Sequence, residues 1–503
     1  MTKIIKHIIT ISAILLTCWS SSFAQLVISP GSSITIKEGT SMYIGTDLYI
    51  KSDISGSGYL ADQNSSGNCT ITGIKTVERY LTSNGWHNAS SPVSNSNSTV
   101  FTGTDLVFYY DETIILNDWN FGWVWHQGAL SVMKGYDLYL ETSITASYIA
   151  TTSSNLNTGS YSIGITRTDV SNGELENRKG WNLIGNPYPS PIDWLEESGW
   201  DKTDINDAKY IWNPTNNNYT IFIGGSSPTG INEGTQYIPS NQGFWVQATQ
   251  NGNISVGNST RLGIMTSTPD YYKNSNPQEL RLIASANGYT DETMIRFILN
   301  ATSKFDLNKD ASKLTSSHDS VPQLYTVAGS TLLGINSLPE ITNGLAIDMN
   351  FSCKTSGNYS IAIDDMSTIN PFEEIYLKDI REQKIINLTK ENKYYFFHEP
   401  SNSKQRFIIY FNPSQDIINN IKPESYFTVN SYKNTVTIIR NTTAQHDCKV
   451  SIYNLLGQKM SSFEITDNLK TTIQLPIPTG YYIVSITTKD YISNSKIRIS
   501  NTK

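Results

Sequence analysis

What most constrains this chain is its rhythm: short apolar, β-branched runs, each closed within a few residues by Gly, Asn, Ser or Pro. Ile34-Thr35-Ile36, Met42-Tyr43-Ile44, Leu48-Tyr49-Ile50 and Thr70-Ile71-Thr72 are such runs, with Gly31-Ser32, Gly39-Thr40 and Gly56-Ser57-Gly58 between them. Runs this brief cannot make a helix turn its apolar face inward more than once, whereas a period of two buries one face of a pleat. Composition agrees. Charged residues are only 16%, and Tyr, Thr and Ile are frequent, side chains that fit a half-buried pleat. The chain reads as all-β, and 503 residues exceed one ordinary core, so we expect several β-sandwich domains in series. A net charge of −7 with no basic stripe argues against nucleic acid as a partner.

Lys3, Lys6 and His7, the apolar residues 8–19 and then Ser22-Phe23-Ala24 read as a secretory signal over residues 1–24, with Gln25 first in the mature chain. Leu15-Leu16-Thr17-Cys18 leaves a lipoprotein reading open. No later run is long and apolar enough for a membrane-spanning helix. Cys69, Cys353 and Cys448 then remain, an odd and scattered set that makes neither a disulfide framework nor a zinc site.

Residues 25–75 suit either a short parallel β-helix coil or a meander. Over residues 76–265 the chain repeats itself. Gly85-Trp86-His87-Asn88 and Gly180-Trp181-Asn182-Leu183 open two copies, spanning about 85–168 and 180–262. Each continues to an aromatic strand, Val107-Phe108-Tyr109-Tyr110 or Lys209-Tyr210-Ile211-Trp212. Each closes on a glycine-led strand, 135–140 or 243–248, whose inward sets are Tyr136, Leu138, Leu140 and Phe244, Val246, Ala248. A Thr-, Ser-, Pro- and Asn-rich stretch at 266–277 reads as a linker, 278–413 as a second β-sandwich, and 425–503 as an immunoglobulin-like sandwich.

In that last segment Val450-Ser451-Ile452-Tyr453-Asn454-Leu455-Leu456-Gly457-Gln458, Pro478-Thr479-Gly480-Tyr481-Tyr482-Ile483-Val484 and Lys496-Ile497-Arg498-Ile499 resemble the C-terminal sorting domain of the type IX secretion system of Bacteroidetes-type bacteria. The resemblance implies that Tyr453, Leu456, Gly457, Gln458, Pro478, Gly480, Tyr482 and Lys496 belong to a module read by the type IX secretion machinery. It also implies export across the outer membrane of a Gram-negative cell, to the surface or the medium. Residues 180–194 and 242–248 are similar to segments common in large exported proteins of these bacteria, as is the stretch between Asp310 and Pro339.

Catalytic patterns are missing from the sequence. His87, His126, His318, His398 and His446 are scattered, and the Gly-Ser segments lack a nucleophile elbow. Carboxylates assembled by the fold would still permit a secreted hydrolase. Asp306, Asn308 and Asp310 alternate like the start of a calcium loop, yet Ala311 and Ser317 stand where that loop needs Gly and an acid, so a turn competes with calcium as the only cofactor in view. Trp119, Trp123 and Trp125 offer sugar-stacking surfaces or core packing, with Ile221 and Ile223 as rough counterparts in the second copy. The function expected is a non-catalytic surface adhesion or glycan- or matrix-binding protein, with a structural surface component as a further reading.

Overall fold

The computed structural model describes residues 25–114, 122–168, 179–263, 277–419, 427–440, 448–465, 470–487 and 492–500. They are almost entirely β, with one short α-helix at Gln415–Asn419. Among them no helix is long and apolar enough to cross a membrane, and Cys69, Cys353 and Cys448 are free thiols. The expected signal at 1–24 and nearly all of the 266–277 linker lie outside the described residues.

Between coil and meander the structure selects the coil. Gln25–Ile28, Asp47–Ile50 and Lys75–Leu81 pair in parallel, as do Ser33–Ile36 with Tyr59–Asp62 and Met42–Ile44 with Cys69–Ile71. Ile28, Ile50 and Val77 stack in register down its centre, so each rung hides the apolar face of the one before. Lys75–Leu81 also pairs antiparallel with Ile144–Ala150, which fuses the coil to the first repeat copy in one core.

The two copies share a strand order. In the first, Gly85–Ala89, Tyr136–Leu140, Val107–Tyr110 and Trp123–Trp125 lie side by side; in the second, Trp181–Gly185, Gly243–Ala248, Ile205–Asn213 and Asn218–Ile223 do the same, with Thr229–Ile231 added at the edge. Each sheet is backed by a pair formed from the strand before it and the strand after it: Lys75–Leu81 with Ile144–Ala150, and Tyr161–Ile165 with Gly252–Val256. Tyr161–Ile165, placed by spacing in the first copy, therefore pairs throughout with the second. Loop lengths between strands do not reveal hydrogen-bonding partners, which is why spacing misassigns it.

The copies meet through reciprocal contacts. Lys134 bridges Ile184 while Gln242, its counterpart, bridges Ala89. Gly185 N donates to Met133 O at 2.8 Å, and Ser90 N to Asn241 O at 3.0 Å. Both acceptor residues sit at positive φ, 62° and 57°. The closing strands begin with glycine because of this approach: a Cβ on Gly135 would lie 2.6 Å from Ile184 O, and one on Gly243 3.0 Å from Ala89 N. The contacts amount to a pseudo-two-fold relation, each copy offering the same patch to the other.

Residues 278–411 form one eleven-stranded sheet. It runs from Lys384–Asn387 at one edge to Lys393–His398 at the other, and folds over so that Ile386 and Phe396 share one core. It also covers the second copy. Lys313 Nζ donates to both oxygens of Asp291 with both side chains fully buried, and Asn218 and Asn232 of the second copy donate to the same carboxylate. At the C-terminus, a three-stranded sheet (Phe427–Tyr432, Thr435–Arg440, Lys470–Gln474) faces a four-stranded one (Lys459–Ile465, Cys448–Asn454, Gly480–Thr487, Ile492–Ile499) around a separate apolar core.

Candidate functional site

The faces on which the two copies meet are aromatic. Period-two alternation sends Trp86, Asn88, Phe108, Tyr110, Trp123 and Asp137 of the first copy toward the second, and Trp181, Leu183, Tyr210, Trp212, Tyr219 and Trp245 back toward the first. On one side of the pseudo-two-fold the packing is closed. The Trp245 ring sits 4.9 Å from Tyr110 and 5.6 Å from Trp123, each near edge-on.

The symmetry-related side is open. Asp137 occupies the place of Trp245, directly opposite Asn88, just as Trp245 stands opposite Leu183. Where an indole would stand against Trp212 and Tyr219 there is a cavity of about 300 Å³. It is lined by Trp86, Phe108, Trp123, Trp212 and Tyr219, with Asn88, Asp137 and Ser317 as its polar groups. Trp86 and Phe108 form a tilted pair at 6.0 Å on one wall, Trp212 and Tyr219 an edge-on pair at 5.0 Å on the other.

The polar groups are under-used. Asn88 Nδ2 donates to Asp137 Oδ1 at 2.8 Å. Asn88 Oδ1 and the indole N–H of Trp212 have no partner, although these side chains are only 6% and 7% exposed. Desolvation holds the Asp137 carboxyl well above the ordinary carboxylate range, against the smaller opposing pull of the Asn88 hydrogen bond. Among the described residues no cation pairs with it. An apolar pocket with a few polar side chains in its lining has the make-up of a ligand site.

Of the three tryptophans singled out in sequence, Trp123 lines this groove, half-buried, and Trp125 lies on the same strand face at the rim, 53% exposed, its Nε1 donating to Asp105 O at 2.8 Å. Trp119 lies outside the described residues. The register also corrects the expected counterparts. Tyr110 pairs with Trp123 as Trp212 pairs with Tyr219, so Trp123 matches Tyr219 and Trp125 matches Ile221. The turns before these strands differ in length, and sequence spacing carries that difference into the alignment. Asp137, Asn88, Trp86, Phe108, Trp212 and Tyr219 were not singled out in sequence. Laying Gly135-Tyr136-Asp137 over Gly243-Phe244-Trp245 would have exposed the exchange of tryptophan for aspartate.

Asp306, Asn308 and Asp310 form a turn. Lys309 N and Asp310 N both donate to Asp306 O, and Asn308 is exposed. Asp310 is fully buried, its Oδ1 taking Ser337 N at 2.6 Å and its Oδ2 taking Asp306 N at 2.7 Å. Burial pushes its carboxyl up to about 6. The remaining histidines that are described serve structure: His87 Nε2 lies 2.9 Å from Thr82 O, and His398 Nε2 3.0 Å from Cys353 O.

In the C-terminal module the motif segments gather at one end of the four-stranded sheet, because Asn454 pairs with Tyr482 and Gly480 with Ile499. Asn454 Oδ1 accepts from Leu456 N and Gln458 N, closing a turn completed by Gly457 at φ 83°. Leu455 and Leu456 stand out from it, 62% and 85% exposed. Tyr482 is buried and its hydroxyl donates to Pro478 O at 2.8 Å, while Lys496 Nζ lies 4.8 Å from the Tyr481 ring centre. Tyr453 is half-buried beside Ile483.

Residues 3–411 match the family model described as a domain of unknown function, DUF8693, and the chain belongs to that family. No curated protein matches. Among solved structures, the crystal structure of dimeric latent PorU from Porphyromonas gingivalis is similar at 10% identity and a TM-score of 0.15, over 71% of this chain and 35% of that one. The BSP domain of a biofilm-associated protein is similar at 10% identity and a TM-score of 0.15, over 85% of this chain and 92% of that one. Likenesses at this level carry no function across.

Proposed function

We propose that this member of the DUF8693 family is an exported surface protein that binds a glycan in the groove between its two repeat copies, and so serves adhesion to a glycan or matrix. The observation that carries the reading is the open side of the pseudo-two-fold. Five aromatic side chains there line a cavity whose polar groups are Asn88, Ser317 and the Asp137 carboxyl, which among the described residues has no cation. Sugar rings bring flat C–H faces for the aromatics and hydroxyls for the polar atoms.

We further propose that residues 425–503 are a type IX sorting signal, acting after a signal peptide at 1–24 has taken the chain through the inner membrane. The gathering of the motif segments at one end of the module, with Leu455 and Leu456 projecting, supports a surface that a receptor reads as a unit. Truncating the chain after Pro423 in its native host is expected to leave it in the periplasm while the full chain reaches the surface or the medium. Equal delivery of the truncated chain contradicts the sorting role.

A further inference from the structure

We infer that the groove holds one sugar ring bearing a protonated amine, the ring standing where the duplication places a tryptophan and the ammonium resting on Asp137; this inference depends on the glycan reading above. The first step is the shape of the vacancy. The Leu183–Trp245 pair of the second copy becomes Asn88–Asp137 in the first, so an indole is replaced by a group a fraction of its size. The walls that would have gripped the indole, Trp212 and Tyr219, keep their aromatic character. A single six-membered ring fits such a gap between aromatic walls, and a longer chain would have to leave through the rim beside Trp125.

The second step is charge. Asp137 has one amide donor and, among the described residues, no cation. Neutral hydroxyls would hydrogen-bond to it and leave it protonated in an aromatic, poorly hydrated space. An ammonium favours the ionised carboxylate, makes a charge-assisted hydrogen bond with it, and is also attracted to the faces of the surrounding rings. A sugar carboxylate would find no cation there among the described residues and would push the Asp137 carboxyl further toward its neutral form.

Titration of the full-length protein, followed by tryptophan fluorescence, with glucosamine, glucose, N-acetylglucosamine and glucuronic acid tests this. Glucosamine is expected to bind on the order of tenfold more tightly than glucose, and glucuronic acid more weakly than either. Asp137→Asn, nearly the same shape, is expected to erase the preference for glucosamine while residual binding of neutral sugars persists. If glucose and N-acetylglucosamine bind the unaltered protein as well as glucosamine does, the amine assignment is overturned and the glycan groove stands. If none of the four binds, the glycan reading falls with it.

Discussion

The two repeat copies use the same strand order and meet through the same contacts, yet one side of their junction is packed and the other is hollow. Trp245 closes the second copy against Tyr110 and Trp123; Asp137 leaves the first copy open against Trp212 and Tyr219. The surroundings diverge in parallel. The strand face carrying Ile221 is sealed by the eleven-stranded sheet, and its counterpart carrying Trp125 is half exposed. Duplication thus separates two tasks. One copy anchors the body through Asn218 and Asn232 on the buried Asp291 carboxylate, and the other keeps an aromatic face open to the cavity. A stability requirement alone would have kept tryptophan in both places, since a buried aromatic contributes more than a desolvated carboxyl.

Imposing the first copy's residue on the second breaks the comparison most severely. Trp245→Asp removes a buried indole and leaves a carboxyl without a partner among apolar neighbours. We expect a loss of about 4–5 kcal/mol in urea unfolding. A loss below about 1 kcal/mol would mean that the closed side is not the structural one.

A smaller effect sharpens the same contrast inside the cores. Lys209 of the second copy stands where the first has Val107, facing Val246 as Val107 faces Leu138. Burial lowers its amine to about 7, opposed by the nearby Asp193, and its Nζ reaches Tyr237 O at 3.2 Å. A lysine so depressed is neutral in the folded chain and charged in the unfolded chain between about pH 7 and pH 10. The unfolded chain then binds the extra proton, so stability rises with pH across that window, by at most about 1.4 kcal/mol per unit. The unaltered protein should gain stability from pH 7.5 to 9, and Lys209→Val should lose that gain. Identical slopes for the two would show that Lys209 stays charged.

Much of this architecture was legible in the chain because period-two alternation reports burial directly. Tyr136, Leu138 and Leu140 are buried as the pattern requires, and so are Phe244, Val246 and Ala248. Partners are a different matter. Nothing local distinguishes Ile28 stacking in parallel on Ile50 from a meander, or a sheet that folds over from two that face. The groove was hidden for the same reason. Asp137 alternates with Tyr136 and Leu138 as any solvent-facing residue would, and only the register that sets it opposite Asn88, in the place of Trp245, gives it meaning. Trp123 was visible as a large aromatic, whereas Trp212 and Tyr219, which line the groove with it, come from two strands some ninety positions later.

The central claim is that the cavity is the vacant place of a second indole, and restoring that indole tests it most directly. The double variant Asn88→Leu, Asp137→Trp gives the first copy the second copy's pair. The full-length variant should melt at a higher temperature than the unaltered protein, by roughly 2–4 °C for each kcal/mol gained, and should no longer bind a sugar. A variant that melts several degrees lower, or that binds sugar as before, would contradict the claim.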